Sequence, residues 1–223
     1  MRDQDAALQY HNMTKHSQES LLSGPRSLDM ANRPIPYKIY ESLEPIPLPT
    51  DFPLSNISAL DAIATFNTVT SNDPIPDLET LARLCFFSNG ITKRLRLASG
   101  ILFAMRAAAC TGALFHIEMY IVCDDLPGLP AGIYHFGAHD NSLRKLRSGD
   151  FRQVLVQATA SEPSIVQAPA VIIYTSTFWR NAWKYRSRAY RHTFWDDGTI
   201  LANALAVAAT TKTVSYTHLT LPT

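Results

Sequence analysis

The stretch RAAACTGALFHIEMYIVC, from Arg106 to Cys123, decides the fold of this chain and has two parts. Residues 107–113 carry small side chains, which leave main-chain N–H groups open to the approach of a flat ligand. After this turn, apolar and polar residues alternate with a period of two. The alternation places the polar residues on one face of a strand, namely His116, Glu118 and Tyr120. The stretch therefore predicts a turn with an exposed backbone that leads into a strand of the central sheet.

The segments on either side of this stretch predict an α+β fold. Periodicity and end signals predict helices at 57–67, 77–89, 151–160, 178–190 and 199–210. Apolar runs bounded by turn residues predict strands at 115–123, 132–136, 143–146 and 170–175. The dipeptide Asp140-Asn141 marks a tight turn between two of these strands. This order predicts a central, mainly antiparallel sheet flanked by helices.

Proline content divides the chain near residue 55. The prolines before that point are Pro25, Pro34, Pro36, Pro45, Pro47, Pro49 and Pro53. Each proline fixes φ and removes a backbone donor, which favours a segment that wraps over a surface. We therefore expect residues 1–55 to form an extended, proline-rich arm and residues 56–212 to form the main domain.

Composition excludes several classes of function. Of the 223 residues, 46% are hydrophobic, which is enough for a substantial core. Twenty basic and 19 acidic side chains give a net charge of +1, so we expect neither nucleic acid nor an anionic membrane as a partner. The longest largely apolar run, 200–209, is shorter than the roughly 20 residues of a membrane span, and no apolar signal segment opens the chain. Cys85, Cys110 and Cys123 lack CxxC spacing, so we expect a cytoplasmic protein without a metal site.

A second block, RNAWKYRSRAYRHTFWDDG, runs from Arg180 to Gly198, and Asn203 follows it. The two blocks resemble the signatures RtaPSaGaLyPiElY and R…KYg.RgYRy…D.G of the SagB-type dehydrogenases, FMN-dependent enzymes of the nitroreductase superfamily. The segments 10–21, 28–40 and 46–52 resemble the lead-in of the larger, often duplicated members of that family. The resemblance extends to Lys212. It implies a nitroreductase-like fold with FMN at a homodimer interface, contacted by both subunits.

The resemblance also implies where FMN binds. A flavin needs donors for its phosphate, a close backbone N–H and positive charge near the ring. The implied cofactor-binding residues are Thr68, Arg106, Cys110, Thr111, Gly112, Ala113 and Leu114. Two departures leave a cofactor-poor interaction domain of a tandem protein as an alternative. Residues 66–70, FNTVT, replace an RRSxR-like run, and Ala109-Cys110 replaces Pro-Ser, which exchanges a hydroxyl donor for a weaker thiol.

Catalytic roles for Lys184 and Tyr185 follow from the same resemblance. In azoline-oxidising relatives the matching pair is the acid/base pair beside the flavin, and oxidation of an azoline to an azole removes a hydride and a proton. Neighbouring cations favour the neutral lysine that a base requires, and here they are Arg180, Arg186, Arg188 and Arg191. The substrate would be a modified peptide. The alternatives are an NAD(P)H-dependent nitro or quinone reductase with a small-molecule substrate and, for these residues, a solvated basic helix face.

Three further expectations concern polar and aromatic side chains. Glu118 is expected to pair with Arg106, which lies at the entrance of the turn. Asp196 or Asp197 is expected to cap a helix that begins near Gly198. Aromatic anchors of the core are expected at Trp179, Trp183 and Trp195.

The last residues, 213–223, interrupt the helical pattern that precedes them. Their sequence TVSYTHLTLPT reads as the translation of a transposase-type sequencing adapter. We therefore expect this tail to lie outside the domain and the natural protein to continue beyond Lys212.

Overall fold

A five-stranded antiparallel sheet forms the centre of the computed structural model, which describes residues 3–22, 27–64, 74–96, 98, 100 and 102–211. The strands are β1 (Pro45–Pro47), β2 (Ile91–Arg96), β3 (Leu102–Arg106), β4 (Ile117–Cys123), β5 (Gly132–Gly137), β6 (Ser142–Ser148) and β7 (Ala170–Ser176). The sheet order is β1-β6-β5-β4-β7, and β2 and β3 form a separate antiparallel hairpin. The predicted mainly antiparallel sheet is confirmed.

Strand β4 is the most buried strand, because both of its faces are covered. It pairs with β7 along its whole length, from Ile117 opposite Ser176 to Cys123 opposite Ala170, and with β5 on its other edge. Its apolar side chains join a core that includes Leu81, Cys85 and Ile200. On the polar face, His116 and Glu118 are also buried, so each needs a partner inside the fold.

Helices flank the sheet, as the α+β prediction requires. They are α1 (Asp3–Thr14), α2 (Gln18–Leu22), α3 (Ala59–Ala64), α4 (Leu78–Asn89), α5 (Arg152–Ala158), α6 (Pro163–Gln167), α7 (Phe178–Tyr185) and α8 (Ala189–Thr210). Helix α4 begins where Asp77 accepts a hydrogen bond from the Thr80 N–H at 2.8 Å, and it ends at Gly90. Helix α4 packs on α8, and together they cover the apolar face of β4.

The prediction of a helix start near Gly198 is wrong. Helix α8 begins at Ala189 and runs through Asp196 and Gly198 without a break. Arg186 has a φ of 51° and ends α7, so residues 178–190, which had been expected to form one helix, are divided between α7 and the start of α8. The buried side chains of Ile200 and Ala204 hold the continuous helix on the core, so packing outweighs the helix-breaking tendency of glycine.

The prediction of an extended arm over 1–55 is wrong for its first part, because residues 3–14 and 18–22 are helical. The described residues of this part contain no proline or glycine, so nothing prevents a helix. Helix α1 docks through Tyr10, whose hydroxyl donates to the Ser187 carbonyl at 3.0 Å. Residues 33–58 contain no helix, which agrees with the prediction for the proline-bearing part.

Two tryptophans do not anchor the core, contrary to expectation: Trp179 is 56% exposed and Trp195 is 51% exposed. Trp183 is half-buried and donates from Nε1 to the Asp29 carbonyl at 2.7 Å. No helix in the described part of the chain has the length and apolar character needed to cross a bilayer. The predicted tail, 213–223, lies outside the described residues.

Candidate functional site

The turn between β3 and β4 has a strained backbone. Gly112, Ala113 and Phe115 have φ values of 66°, 53° and 46°. A left-handed conformation costs a residue other than glycine about 1–2 kcal/mol, so Ala113 and Phe115 adopt it only because other contacts hold them. The strained segment, which we call the site turn, comprises residues 110–115.

Asp196 on α8 holds the first half of the site turn. Its carboxylate accepts hydrogen bonds from the Thr111 N–H at 3.0 Å, the Thr111 hydroxyl at 2.6 Å and the Cys110 thiol at 3.2 Å. It also lies 2.9 Å from His116 Nε2. Burial alone would raise the pKa of Asp196, but the hydrogen bonds from His116, Thr111 and Cys110 outweigh it, and the pKa is lowered. The carboxylate is therefore charged and buried, and it fixes the backbone of the turn.

Arg180 on α7 holds the other end of the site turn. Its guanidinium donates to the Phe115 carbonyl at 2.6 Å and pairs with Glu118 at 2.8 Å. Glu118 also lies 3.2 Å from His135 Nε2. Burial tends to raise the pKa of Glu118, but the contacts with His135 and Arg180 lower it overall. The predicted Glu118–Arg106 pair is therefore wrong, because Arg180 takes the position that Arg106 was expected to fill.

Arg106 packs against Phe115 of the site turn and is held by two hydrogen bonds. Its guanidinium donates to Asn89 Oδ1 and to the Pro36 carbonyl, both at 3.1 Å, and lies 4.6 Å from the centroid of the Phe115 ring. The side chain is buried, which lowers the pKa of Arg106 to about 10, although Glu118 nearby opposes that shift. In this position Arg106 links the N-terminal segment to the end of α4, and it does not line the cleft described below.

The Lys184-Tyr185 pair ends α7 directly beside the site turn. A methyl group added at Gly112 would lie 2.6 Å from Tyr185 Oη, so the backbone of the turn and the phenol are in close contact. The Tyr185 ring packs edge-on against the imidazole of His192, at 4.6 Å between centroids. Lys184 is exposed, and its ammonium lies 5.2 Å from the centroid of the Tyr185 ring.

A cleft of about 170 Å³ joins the two predicted parts of the site. It is lined by Leu28, Met30, Arg33, Gly112, Leu114, Trp183 and Lys184. The fold therefore brings Gly112 and Leu114 of the predicted cofactor-binding set next to the predicted catalytic Lys184. Cys110 and Thr111 turn their side chains inward to Asp196, and Thr68 lies outside the described residues.

Gly112 offers a direct test of this contact, with Gly100 as its matched control. Both glycines have positive φ, but a Cβ at Gly100 meets nothing within 4 Å. Gly112→Ala should lower the free energy of unfolding by roughly 2–4 kcal/mol, from backbone strain and overlap with Tyr185 Oη. Gly100→Ala should cost only about 1–2 kcal/mol, since it adds backbone strain alone. Urea unfolding measures both.

A double variant separates the two contributions. In Gly112→Ala/Tyr185→Phe the overlapping oxygen is absent, so most of the additional loss should be recovered. Equal losses for the two glycine variants would show that Tyr185 does not press on the site turn.

Three residues hold the site turn without having been predicted to do so from the sequence, namely Arg180, His116 and Asp196. Arg180 and Asp196 lie inside the second block that carries the resemblance, where each matches a residue of the family pattern. That match could have singled them out. The partners themselves could not be read from the sequence, because His116 and Asp196 are 80 residues apart.

Comparisons with known proteins agree on the fold. No protein-family model matches the chain. Over 123 residues, 51% of this chain, it is 24% identical to a provisionally named nitroreductase of Methanocaldococcus jannaschii. The crystal structure of a provisionally named nitroreductase from Anabaena variabilis ATCC 29413 matches 89% of the chain with 30% identity and a TM-score of 0.69. One from Ralstonia eutropha JMP134 matches 79% with 18% identity and a TM-score of 0.55.

The chain therefore has a nitroreductase-like fold, as predicted. It spans 62% of the length of the archaeal relative, 37% of the Anabaena protein and 81% of the Ralstonia protein.

Proposed function

We propose that this chain is an oxidoreductase domain of the nitroreductase type that uses FMN. The observation that carries the proposal is the cleft in which Gly112 and Leu114 of the strained site turn meet Lys184, with Tyr185 packed against Gly112 beside it. Backbone strain held in place by buried side chains is typical of functional sites. The similarity to the provisionally named nitroreductases of Methanocaldococcus and Anabaena supports redox chemistry as the kind of reaction.

The residues of the cleft fit the flavin ring. Gly112 lacks a Cβ, which lets Tyr185 pack against the backbone of the turn, and Gly112 itself lines the cleft. Among the described residues that line the cleft, Arg33 and Lys184 are cations and none is acidic, which suits an anionic ligand. Gly112, Ala113 and Leu114 would hold the ring, and Arg33 would balance its negative charge.

The size of the cleft supports a site that is shared between two subunits. Pockets that enclose a cofactor-sized ligand have volumes of about 300–1,000 Å³, whereas this cleft measures about 170 Å³. A second copy of the chain over the cleft would supply the missing wall. We therefore propose that the active form is a homodimer.

The chemistry assigned to the chain's own residues is proton transfer and positioning. FMN, when bound, would accept the hydride. Lys184, as the neutral amine, takes the proton that accompanies the hydride and passes it to solvent, since its side chain lines the cleft and is exposed. The Tyr185 ring lies beside the Lys184 side chain and against Gly112. Tyr185 therefore orients the lysine relative to the site turn.

The narrower reaction that we propose is oxidation of azolines to azoles in a modified peptide. It follows from the resemblance of both sequence blocks to the SagB-type dehydrogenases. The exposed cleft, rimmed by Leu28, Met30 and Trp183, would accept a peptide backbone. A nitro or quinone reductase would use the same cleft with a small aromatic substrate.

Flavin binding tests the proposal before any substrate is known. Purified protein mixed with excess FMN should retain flavin in a dimer on sedimentation, followed at the flavin absorption band. Binding should be weak enough for the flavin to be lost on gel filtration without added FMN, because the RRSxR-like run is absent at 66–70. Gly112→Ala should weaken binding at least about tenfold, whereas Gly100→Ala should leave it unchanged.

Other outcomes would contradict the proposal in distinct ways. A stable monomer that retains one tightly bound FMN would exclude the shared site. A dimer that takes up no flavin even at saturating FMN would favour the cofactor-poor interaction domain instead.

A further inference from the structure

Three side chains that commonly bind metals converge beneath the site turn. Cys110 Sγ and His116 Nε2 lie 3.2 Å and 2.9 Å from Asp196 Oδ2, and the three ligand atoms all lie within 4.8 Å of one another. They come from the turn, the start of β4 and the middle of α8. The cysteine spacing had predicted no metal site, because this cluster forms only when these three elements pack together.

Each of the three side chains also makes a hydrogen bond to a residue outside the cluster. Cys110 Sγ accepts the Phe115 N–H at 3.1 Å, and His116 Nδ1 is bonded to Ser176 Oγ at 2.9 Å. Asp196 Oδ1 accepts the Thr111 hydroxyl at 2.6 Å. Outer partners of this kind orient metal ligands in proteins, because they fix the histidine tautomer and the direction of each donor atom. Each of the three side chains therefore has a second hydrogen-bond partner that fixes its position in the cluster.

Space for a fourth ligand lies next to the cluster. A cavity of about 10 Å³ is lined by Cys110 and Asp196 together with Asn89, Phe115 and Ile117. That volume is close to the minimum for one water molecule. Cys110 is half-buried, whereas His116 and Asp196 are buried, so Cys110 is the most solvent-exposed member of the cluster.

We propose that Cys110, His116 and Asp196 bind one Zn²⁺, with a water molecule as the fourth ligand. Sulfur, imidazole and carboxylate donors suit zinc, which forms four-coordinate tetrahedral sites. Bonds of about 2.0 Å to N and O and about 2.3 Å to S place neighbouring ligand atoms roughly 3.3–3.5 Å apart. The distances from Asp196 Oδ2 to Cys110 Sγ and His116 Nε2 would therefore lengthen by only a few tenths of an ångström on binding.

Charge balance supports the same assignment. On binding, zinc forms a bond to Cys110 Sγ, the thiol proton leaves to solvent, and His116 binds through Nε2 while Nδ1 carries its proton. The thiolate and the Asp196 carboxylate then neutralise the dication inside the protein. The ion would fasten the site turn to α8. This proposal does not depend on the binding of FMN.

Metal titration of the whole chain tests the site. Protein freed of metal with a chelator should take up one Zn²⁺ per chain on equilibrium dialysis, and its melting temperature should rise. With Co²⁺ in place of Zn²⁺, a sulfur-to-metal charge-transfer band should appear in the near ultraviolet. Cys110→Ser should abolish the band and lower zinc affinity at least a hundredfold. Cys123→Ala removes another buried thiol, outside the cluster, and should leave both unchanged.

Two results would contradict the zinc proposal, one obtained with the unmodified chain and one with the serine variant. Absence of stoichiometric zinc and of the cobalt–thiolate band in the parent protein would overturn the proposal without reference to any variant. Zinc retained at full affinity by Cys110→Ser, with an unchanged circular dichroism spectrum, would place the ion elsewhere and overturn it as well.

Discussion

Asp196→Ala should lower the free energy of unfolding by about 3–5 kcal/mol, the range seen when one partner of a buried charged network is removed. Asp196 is 5% exposed and accepts hydrogen bonds from Thr111 and Cys110 while it contacts His116. Alanine would leave those donors buried without an acceptor. The total stability of a domain is only about 5–15 kcal/mol, so the loss is a large share of it.

The measurement is urea unfolding in the presence of a chelator, so that bound metal does not contribute. For a chain of this length, the expected loss corresponds to a melting temperature lower by roughly 6–20 °C. Asp196→Asn keeps the shape but brings an amide N–H₂ group towards the donors of Thr111, so its loss should be intermediate.

The neighbouring Asp197 provides the matched control. Its Oδ1 is buried with no hydrogen-bond partner, and burial raises the pKa of this carboxyl. A carboxyl whose pKa is higher in the folded state than in the unfolded state weakens the fold at neutral pH. Asp197→Asn should therefore leave stability unchanged or raise it slightly. If Asp196→Ala unfolds at the same urea concentration as the parent, Asp196 does not hold the site turn.

The sheet could be predicted because its signal is local. Four strands were expected, and they correspond to β4, β5, β6 and β7, because each is an apolar run bounded by turn residues. Strand β1 could not be predicted, because Pro45 and Pro47 argue against a strand. It forms at the edge of the sheet, where a missing N–H is tolerated.

The β2–β3 hairpin was missed for a different reason. Its cross-strand pairs combine charged and apolar residues, as in Lys93 opposite Met105, so neither strand shows a consistent apolar face. Most of its side chains are exposed, and burial therefore imposes no pattern on the sequence. A signal that rests on burial cannot report a strand that is not buried.

The sequence predicted those parts of the candidate site whose residues are contiguous in the chain. The segment 110–114 and the Lys184-Tyr185 pair each carry their own motif, and the fold brings Gly112 and Leu114 to Lys184 in one cleft. The position of Arg106 could not be predicted, because it depends on Asn89 and the Pro36 carbonyl, neither of which is adjacent in sequence.

Lys184→Ala should slow flavin reduction by roughly two to four orders of magnitude, the usual contribution of a positioned proton-transfer group, while flavin content stays nearly unchanged. The test is single-turnover reduction of FMN in the reconstituted protein, with a synthetic thiazoline-containing peptide as the hydride donor. Tyr185→Phe should have a smaller effect, because it removes only a hydroxyl and keeps the ring that packs on His192.

Two further variants separate proton transfer from charge and from packing. Lys184→Arg keeps a positive charge but cannot give up its proton near neutral pH, so it should be as slow as Lys184→Ala. Arg188→Ala removes a side chain that contacts the Thr14 carbonyl and the Trp195 ring, so its damage should appear in thermal stability before it appears in the rate. Full activity in Lys184→Arg would show that the lysine acts by charge alone. Full activity in Lys184→Ala would leave the exposed end of α7 as a solvated basic face, because no proton would then need to pass through it.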